Sequence, residues 1–439
     1  MLFSKQRRSL LSSEARVQSP FIKVTIGNFT FGVFTSANKK TKDKDGFYSV
    51  QYNIQYPNYV DSLNIVKING QVNQYTLNIK YPVRPTDDPN FFEKVFSSVA
   101  NTRKIVFSYG DSAMPSYIYK DEEAIITDVK SSFNFGAGGV DAVINYTVSA
   151  VSASALGLSG CFTFINSGKK KPSEEIKKIF FNKTYGLESI FTGMGKGNID
   201  YLISGGDKAV ELDTKTNISV LDYITYLVSC MVPEGSTETN TSNTIYILTL
   251  HDDTVYDKLY NESSDMSGPY FKVTKTSYTT DRSDAYEINI GFNSLPIVTG
   301  FSVDNSENYS IYYDYQKKLY PEEYVRRLNN NGEWEDVFAP SISSKNERFK
   351  TETEDITWWT KITKYPINAS ITVQGLLRPA MLMSYIRLNV IFPGGHKHIS
   401  SGLYIVTKQQ DNISGNGYRT TLSLTRIGGS EQYDTKDPN

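Results

Sequence analysis

The amino-acid sequence predicts a β-rich α+β fold divided into several domains, and three observations support that prediction. The chain has 439 residues, which is too long for one ordinary domain and suggests roughly two to four. It contains 31 Tyr and 23 Phe against 3 Trp. Tyr suits half-buried strands and wet, permanent interfaces because it joins an apolar ring to a polar tip. Long stretches also alternate between apolar and polar residues, which is the pattern of strands with one dry face.

The first block of strands is predicted over residues 21–165. Every second residue is apolar in 74–81 and again in 143–150. Between these stretches one amphipathic helix is predicted over 89–100, where Asp88 can cap the first turn. Its apolar stripe follows the spacing i, i+3, i+4, i+7 and consists of Phe92, Val95, Phe96 and Val99. We therefore expect a sheet covered by one helix.

An α-rich insert is predicted over residues 166–243. One helix begins at Pro172, and a second begins near Ser219, where Ser219 and Asp222 form a capping pair. Cys161 and Cys230 both stand among apolar neighbours and are predicted to be reduced core residues. Two isolated cysteines are too few for a disulfide framework or a zinc site.

Strands resume within 244–300 and dominate again from 370 to 430, with a mixed tract between them over 301–369. Within that tract a short helix is predicted from Tyr320 to Asn329. The final block reads as a β meander with turn residues at both connections. In its last strand the apolar side chains of Leu422 and Leu424 point to one face. The polar side chains on the other face are Arg419, Thr421, Ser423 and Thr425.

Charge and hydropathy exclude several classes of function. Lys and Arg number 46 against 47 Asp and Glu, so the chain lacks the basic excess of a protein that binds duplex DNA. The basic arm Lys5-Gln6-Arg7-Arg8 is interpreted as a solvated terminus. No apolar run approaches the length of a membrane-spanning helix, and no signal peptide is evident. We expect a chain that is made in a cytoplasm and stays soluble until it is assembled.

Three kinds of motif resemble chemical sites. His396-Lys397-His398 would place two imidazoles on one face of a strand, but a surface turn is the better interpretation. His251-Asp252-Asp253 resembles a hydrolytic fragment, yet its acids directly follow the histidine at a strand end. The glycine-rich stretches 136–139 and 193–197 lack the Ser or Thr of a phosphate loop. The sequence therefore predicts no catalytic, cofactor-binding or metal-binding residue, no cofactor and no enzyme.

A family resemblance lies in the last sixty or so residues. Three segments contribute to it: Gly375-Leu-Leu-Arg-Pro379, Ser401-Gly-Leu-Tyr-Ile-Val406 and Gly417-Tyr-Arg-Thr-Thr-Leu-Ser-Leu424. The second and third match a pattern of Ser-Gly-x-Tyr-x-Val, a loop, and Gly-Tyr-x-Thr-x-Leu-x-Leu. This region resembles the baseplate hub proteins of phage tails, a group that includes the late control protein D family and the hubs of contractile tails.

The resemblance implies two tail-tube-like β-barrel domains with an α+β insert between them. The implied domains are an N-terminal arm (1–20), a first tube-like β domain (21–165), an α-rich insert (166–243), strands contributing to the second barrel (244–300), a mixed insert (301–369), the C-terminal part of the second tube-like β domain (370–430) and a tail (431–439). We expect blocks 21–160 and 370–430 to be of the same kind, with the final block borrowing strands from within 245–300.

The resemblance also implies an assembly. Three copies would form a homotrimeric ring with pseudo-sixfold inner symmetry, which joins the hexameric tail tube to the central spike in the virion baseplate. Its implied partners are the tail tube or distal tail protein, the spike protein, the tape measure protein and other baseplate proteins, with DNA only passing through the lumen. Two alternatives stay open: another tail component (tube, distal-tail or receptor-binding protein), and a carbohydrate-active enzyme, whose paired carboxylates cannot be recognised in a sequence.

Overall fold

The structure, a computed structural model, describes residues 20–33, 36–42, 48–53, 57–111, 119–136, 142–194, 197–234, 244–251, 269–277, 282, 285–291, 298–304, 325–328, 334–337, 368–374, 382–398, 400–414 and 417–428. Strands predominate over these residues and helices are few, which confirms the prediction of a β-rich chain. No described helix has the length and apolar character that crossing a membrane requires.

The strands of the first half are β1 Pro20–Ile26, β2 Phe29–Val33, β3 Ser36–Lys42, β4 Tyr48–Asn53, β5 Val60–Ile68, β6 Gln74–Val83, β7 Lys104–Asp111, β8 Tyr119–Phe135, β9 Ala142–Ser152, β10 Cys161–Phe164, β11 Lys169–Lys170, β12 Val210–Glu211 and β13 Lys215–Ser219. Those of the second half are β14 Thr244–His251, β15 Tyr270–Ser277, β16 Tyr286–Gly291, β17 Val298–Asp304, β18 Val325–Leu328, β19 Trp334–Val337, β20 Asn368–Gln374, β21 Tyr385–Ile391, β22 Gly402–Ser414 and β23 Gly417–Gly428. The helices are α1 Phe91–Ser98, α2 Ala155–Leu158, α3 Pro172–Phe181, α4 Leu187–Ile190, α5 Ile199–Leu202 and α6 Val220–Ser229.

One large sheet connects the two ends of the chain. Its strand order is β17-β20-β23-β22-β5-β6-β9-β8-β7-β1-β2, with β21 paired to β22 and β16 paired to β21. All of these pairs are antiparallel except β16 with β21. The C-terminal strands therefore join the N-terminal strands directly, through the pair β22–β5.

The sheet contains the same strand order twice. We call β1 and β5 to β9 the N-terminal unit, and β16, β17 and β20 to β23 the C-terminal unit. If the six strands of each unit are numbered in chain order, both units lie in the order 1-4-5-6-3-2 along the sheet. The two units differ at one pair, because β1 is antiparallel to β7 whereas β16 is parallel to β21.

The two units are not shown to be closed barrels. Over the described residues no ladder joins β2 to β5, the two ends of the N-terminal set of strands. A backbone hydrogen bond bridges that side, from the amide of Gly32 to the carbonyl of Pro57 at 3.1 Å. The two-barrel architecture thus stays a prediction, while the shared strand order is observed.

The N-terminal core follows the predicted alternation. In β6 the side chains of Tyr75, Leu77 and Ile79 are buried, and the polar residues between them are at least partly exposed. Helix α1 covers this face and buries Phe92, whose ring lies 5.4 Å from that of Tyr146. The helix begins later than predicted. No side chain caps it, although the Asp88 carboxylate accepts a hydrogen bond from the Asn90 amide at 3.0 Å.

The insert contains the two predicted helices. Helix α3 begins at Pro172. Helix α6 follows Ser219, whose hydroxyl accepts a hydrogen bond from the Asp222 amide at 3.0 Å. Strands β14 and β15 pair with each other, and their buried side chains share a core with these helices. The range 244–300 therefore divides, since β16 and β17 join the C-terminal unit instead. The domain boundaries themselves stay a prediction.

Two local predictions are wrong. Cys230 is buried as expected, but Cys161 is exposed at the start of β10, where it shares the exposed face of the strand with Thr163 while Phe164 is buried. Residues Val325–Leu328 form a strand paired with β19 rather than the end of a helix. Cross-strand pairing supplies this segment with partners that its local sequence does not reveal.

Candidate functional site

The joint between the two units is a seven-residue antiparallel ladder. Residues 408–414 of β22 pair with Ser62 to Ile68 of β5, from Lys408 opposite Ile68 to Ser414 opposite Ser62. One further backbone bond extends it, from the Asn69 amide to the Thr407 carbonyl at 3.1 Å. Because the ladder is continuous over these residues, the joint fixes one unit against the other.

A buried ion pair lies on the inner face of this joint. Lys67 of β5 places its Nζ 3.0 Å from Oε1 of Glu122, and both side chains are almost fully buried. Two tyrosines also donate to this carboxylate: the hydroxyl of Tyr75 donates to Oε2 at 2.7 Å, and that of Tyr109 donates at 3.0 Å. Such hydrogen bonds are what makes a buried charge tolerable, because they replace the water that it has lost.

A second buried acid belongs to the C-terminal unit. Asp411 of β22 accepts hydrogen bonds from the hydroxyl of Thr420 and from Nε2 of Gln409, each at 2.7 Å. Burial raises the pKa of the Asp411 carboxyl, and its hydrogen bonds together with the positive charge of Lys67 oppose that rise. Since Gln409 lies opposite Lys67 in the ladder, the polar cluster spans both units.

His251 lies near the same cluster and is not arranged as a catalytic base. It ends β14, is buried, stacks on the ring of Tyr270 at 4.6 Å, and has its Nε2 3.1 Å from the Thr249 hydroxyl. Burial lowers the pKa of this imidazole to about 3, helped by the positive charges of Lys272 and Lys67. The imidazole is therefore neutral near pH 7. Residues 252 and 253 of the predicted motif lie outside the described residues.

The other sequence candidates are not brought together. His396 and His398 lie in an exposed turn after β21, which confirms the surface-turn interpretation, and Nδ1 of His398 contacts the Ser400 hydroxyl at 2.7 Å. Among the described residues no group of three potential metal ligands converges. Gly136 ends the described part of its loop, and residue 196 of the second glycine-rich stretch is not described.

One stretch of β8 presents an open sheet edge. The first part of β8 pairs with β7 as far as Ile125, whereas residues 127–135 pair only with β9 over the described part of the chain. We call 127–135 the open segment. Three large apolar side chains on it are exposed, by 36 % at Val129, 56 % at Phe133 and 73 % at Phe135. An unpaired edge with exposed apolar residues is a template for pairing with another chain.

The end of the sheet at β17 is a second open edge. Strand β17 pairs with β20, and no ladder reaches its other side within the described residues. Its side chains Phe301 and Val303 pack only partly against the core of the C-terminal unit. Within the described residues each unit therefore has an incompletely covered apolar edge, at β8 in the N-terminal unit and at β17 in the C-terminal unit.

Sequence reasoning did not select Lys67, Glu122 or Asp411, although one signal marks them. Each is a charged residue at an inward-facing position of an alternating strand. Lys67 lies two positions after the buried Ile65, and Glu122 lies two positions before the buried Ala124, so each shares a strand face with a core residue. A charge at such a position requires a partner in the interior. Finding that partner requires the strand pairing, which the sequence alone does not provide.

No family model and no curated protein matches this chain, whereas several solved structures resemble it. A tail protein from Neisseria meningitidis MC58 has 9 % identity and a TM-score of 0.44, covering 93 % of this chain and 96 % of that one. The 43 kDa tail protein of prophage MuSo2 from Shewanella oneidensis has 9 % identity and a TM-score of 0.46, covering 93 % and 99 %. The E. coli c3393 protein, a component of the type VI secretion system, has 12 % identity and a TM-score of 0.39, covering 88 % and 78 %. Likenesses this weak carry no argument about the function of this chain.

Proposed function

We propose that this chain is a structural, non-enzymatic component of a phage-type tail, a baseplate hub that acts as a trimeric ring. The observation that carries the proposal is the repeated strand order, with the two units joined in one sheet through β22 and β5. A chain with two equivalent units presents six units in three copies. Three copies can therefore match a six-subunit tube on one side and a threefold spike on the other.

Two further features support a role in assembly. The open segment of β8 and the outer side of β17 leave apolar side chains partly or largely uncovered, as expected of surfaces that meet other subunits. The chain is nearly neutral, with 46 basic and 47 acidic residues, so it offers no general attraction to DNA that passes through a lumen. The proposed partners are the tail tube or distal tail protein, the spike, the tape measure protein and other baseplate proteins.

The mass of the purified chain tests this proposal. Light scattering and native mass spectrometry are expected to give a trimer, alone or after mixing with the neighbouring tail proteins. Electron microscopy of that species is expected to show a ring with threefold symmetry and a central opening. A chain that stays monomeric in every mixture would contradict the hub. Catalytic hydrolysis of a cell-wall glycan by the purified chain would contradict the non-enzymatic role.

A further inference from the structure

We propose that the open segment of β8 in one copy pairs antiparallel with the outer side of β17 in the next copy. This contact would repeat between copies the joint that β22 and β5 make within one copy. The inference rests on the proposed ring for its partner, which is a second copy of this chain. Its register comes from the internal repeat alone.

The strands β8 and β22 are equivalent in detail. Over its first part β8 pairs with β7, and β22 pairs with β21, which is the fourth strand of the unit in each case. The register of β8 against β9 then shifts between Ile126 and Asp128, and the register of β22 against β23 shifts between Val406 and Lys408. At that break the hydroxyl of Thr127 donates to the Ser149 carbonyl at 3.1 Å. The hydroxyl of Thr407 donates to the Ser423 carbonyl at 3.2 Å.

The strands β5 and β17 are equivalent as well. Leu63 of β5 lies opposite Leu77, which lies opposite Val148. In the C-terminal unit Phe301 of β17 lies opposite Ile371, which lies opposite Leu422. Both strands also break register at the same step before these residues, between Val60 and Ser62 in β5 and between Val298 and Gly300 in β17.

Transferring the joint onto these equivalents gives one register. Within the chain Ile413 lies opposite Leu63, which places Phe133 of one copy opposite Phe301 of the next. The neighbouring positions are Ser132 opposite Ser302, equivalent to Asn412 opposite Asn64.

The pairing accounts for the uncovered apolar groups on both edges. Phe133 lies opposite Ile144 on the hairpin, and Ile144 is buried, so Phe133 faces the core side of the sheet. Phe301 packs on the core side of its own unit. Cross-strand aromatic pairs on one face stabilise a sheet. Each copy carries one edge of each kind, so the contact is head-to-tail and closes a ring when the rotation per copy allows it.

Cysteine pairs test this register directly. In a Cys161→Ser background, which removes the exposed native thiol, Ser132→Cys and Ser302→Cys are made on separate chains and mixed under mild oxidation. Both serines are exposed, and the replacement is nearly isosteric. The expected product is a covalent dimer on a denaturing, non-reducing gel. The double variant on one chain is expected to give covalent trimers.

Two controls match this pair. Asn64→Cys with Asn412→Cys on one chain occupies the equivalent positions of the observed joint and should close without changing the chain's mass. Lys130→Cys mixed with Ser302→Cys is two residues out of register. Its Cβ atoms would lie roughly 7 Å apart, beyond the reach of a disulfide, so about tenfold less dimer is expected.

The outcomes separate the inference from the proposed hub. A trimer in which the 132/302 pair stays open, while the 64/412 control closes, would overturn the inference and leave the hub intact. Equal cross-linking of the 130/302 and 132/302 pairs would overturn the register. Covalent dimers from an assembly that is not a trimer would support the edge pairing and contradict the hub. A strict monomer would overturn both.

Discussion

The two long hairpins of this chain, β8–β9 and β22–β23, have the same place in their units but different surroundings. The outer side of β22 pairs with β5, and the residues facing inward along it, such as Ile413, are fully buried. The outer side of β8 has no such partner over residues 127–135 within the described part of the chain, and Phe133, the equivalent of Ile413, is 56 % exposed. Equivalent strands thus differ in burial because, among the residues that the structure describes, only β22 has a partner on its outer side.

This comparison separates the features that both units share from the features that arise only where β22 pairs with β5. The register break, the threonine hydrogen bond and the apolar face recur in both units. The buried ion cluster lies at the joint, where Lys67 pairs with Glu122 and its positive charge acts on Asp411. Substitutions at equivalent positions separate these two contributions, and a charge in the core has the largest expected effect.

A charge in the core of either unit is expected to unfold it. Leu422 and Val148 are equivalent and fully buried, so Leu422→Asp and Val148→Asp should each reduce the free energy of unfolding by about 5 kcal/mol, because an unpaired carboxylate is placed in the interior. Urea unfolding monitored by circular dichroism measures both. Ser423→Asp, on the partly exposed face, is the control and should cost less than about 1 kcal/mol. An unfolding effect in one unit alone would argue against their equivalence.

Breaking the buried ion pair is expected to cost slightly less. Glu122→Gln removes the carboxylate that forms the ion pair with the buried ammonium of Lys67, which should reduce the free energy of unfolding by about 3–5 kcal/mol. The double variant Lys67→Met with Glu122→Gln should recover a large part of that loss, because it removes both charges of the pair. Chemical denaturation of the two single variants and the double variant gives the coupling free energy.

The next residue along β8 offers a matched control. Glu123 also forms an ion pair, with Lys104 at 2.5 Å, but both side chains are about half exposed. Glu123→Gln should therefore change stability by less than about 1 kcal/mol. Equal costs for Glu122→Gln and Glu123→Gln would mean that the joint does not depend on its buried cluster.

The local features of these units were largely predictable from sequence. Alternation identified β6, and the spacing of Phe92 and Val95 identified the covering helix, because both patterns reflect burial within a few residues of chain. The capping pair Ser219 and Asp222 was equally local. The start of α1 and the exposure of Cys161 were less so, since they depend on which neighbours pack there.

The joint was not predictable, because it depends on contacts between distant residues. Gln410 donates to Asn64 across 346 positions of sequence, and no local pattern indicates which strand β22 will meet. The buried cluster follows the same rule, since Lys67 and Glu122 are 55 residues apart. Periodicity determines which face of a strand is dry, whereas the pairing of strands determines which charges meet.

His251 makes the joint region sensitive to acid. The folded state holds its pKa at about 3, whereas the unfolded chain has the ordinary value of 6.5. Between these values the unfolded chain binds a proton that the folded chain does not, so stability is unaffected above pH 6.5 and falls as the pH drops toward 3. His251→Phe keeps a ring to stack on Tyr270 and removes the titration. Relative to wild type, this variant should lose about 3 kcal/mol less between pH 7 and about pH 4.5.

Urea unfolding at the two pH values measures that difference. His398→Asn is the control, because His398 lies in an exposed turn away from the cluster, and its pH dependence should match the wild type. A steep acid limb that persists in His251→Phe would assign the acid sensitivity to other groups.

The smallest expected effect on stability, and the sharpest contrast between the units, comes from equivalent apolar positions on the two hairpins. Phe133→Ser should change the free energy of unfolding by less than about 0.5 kcal/mol, because the ring is already largely exposed within one chain. Ile413→Ser, at the equivalent and fully buried position, should cost about 3 kcal/mol or more, because it removes packing and buries a hydroxyl. Analytical ultracentrifugation should show that Phe133→Ser nevertheless weakens self-association of an otherwise intact chain. If both variants lose stability equally, the open segment is covered within the chain; if Phe133→Ser leaves association unchanged, the edge of β8 is not the contact between copies.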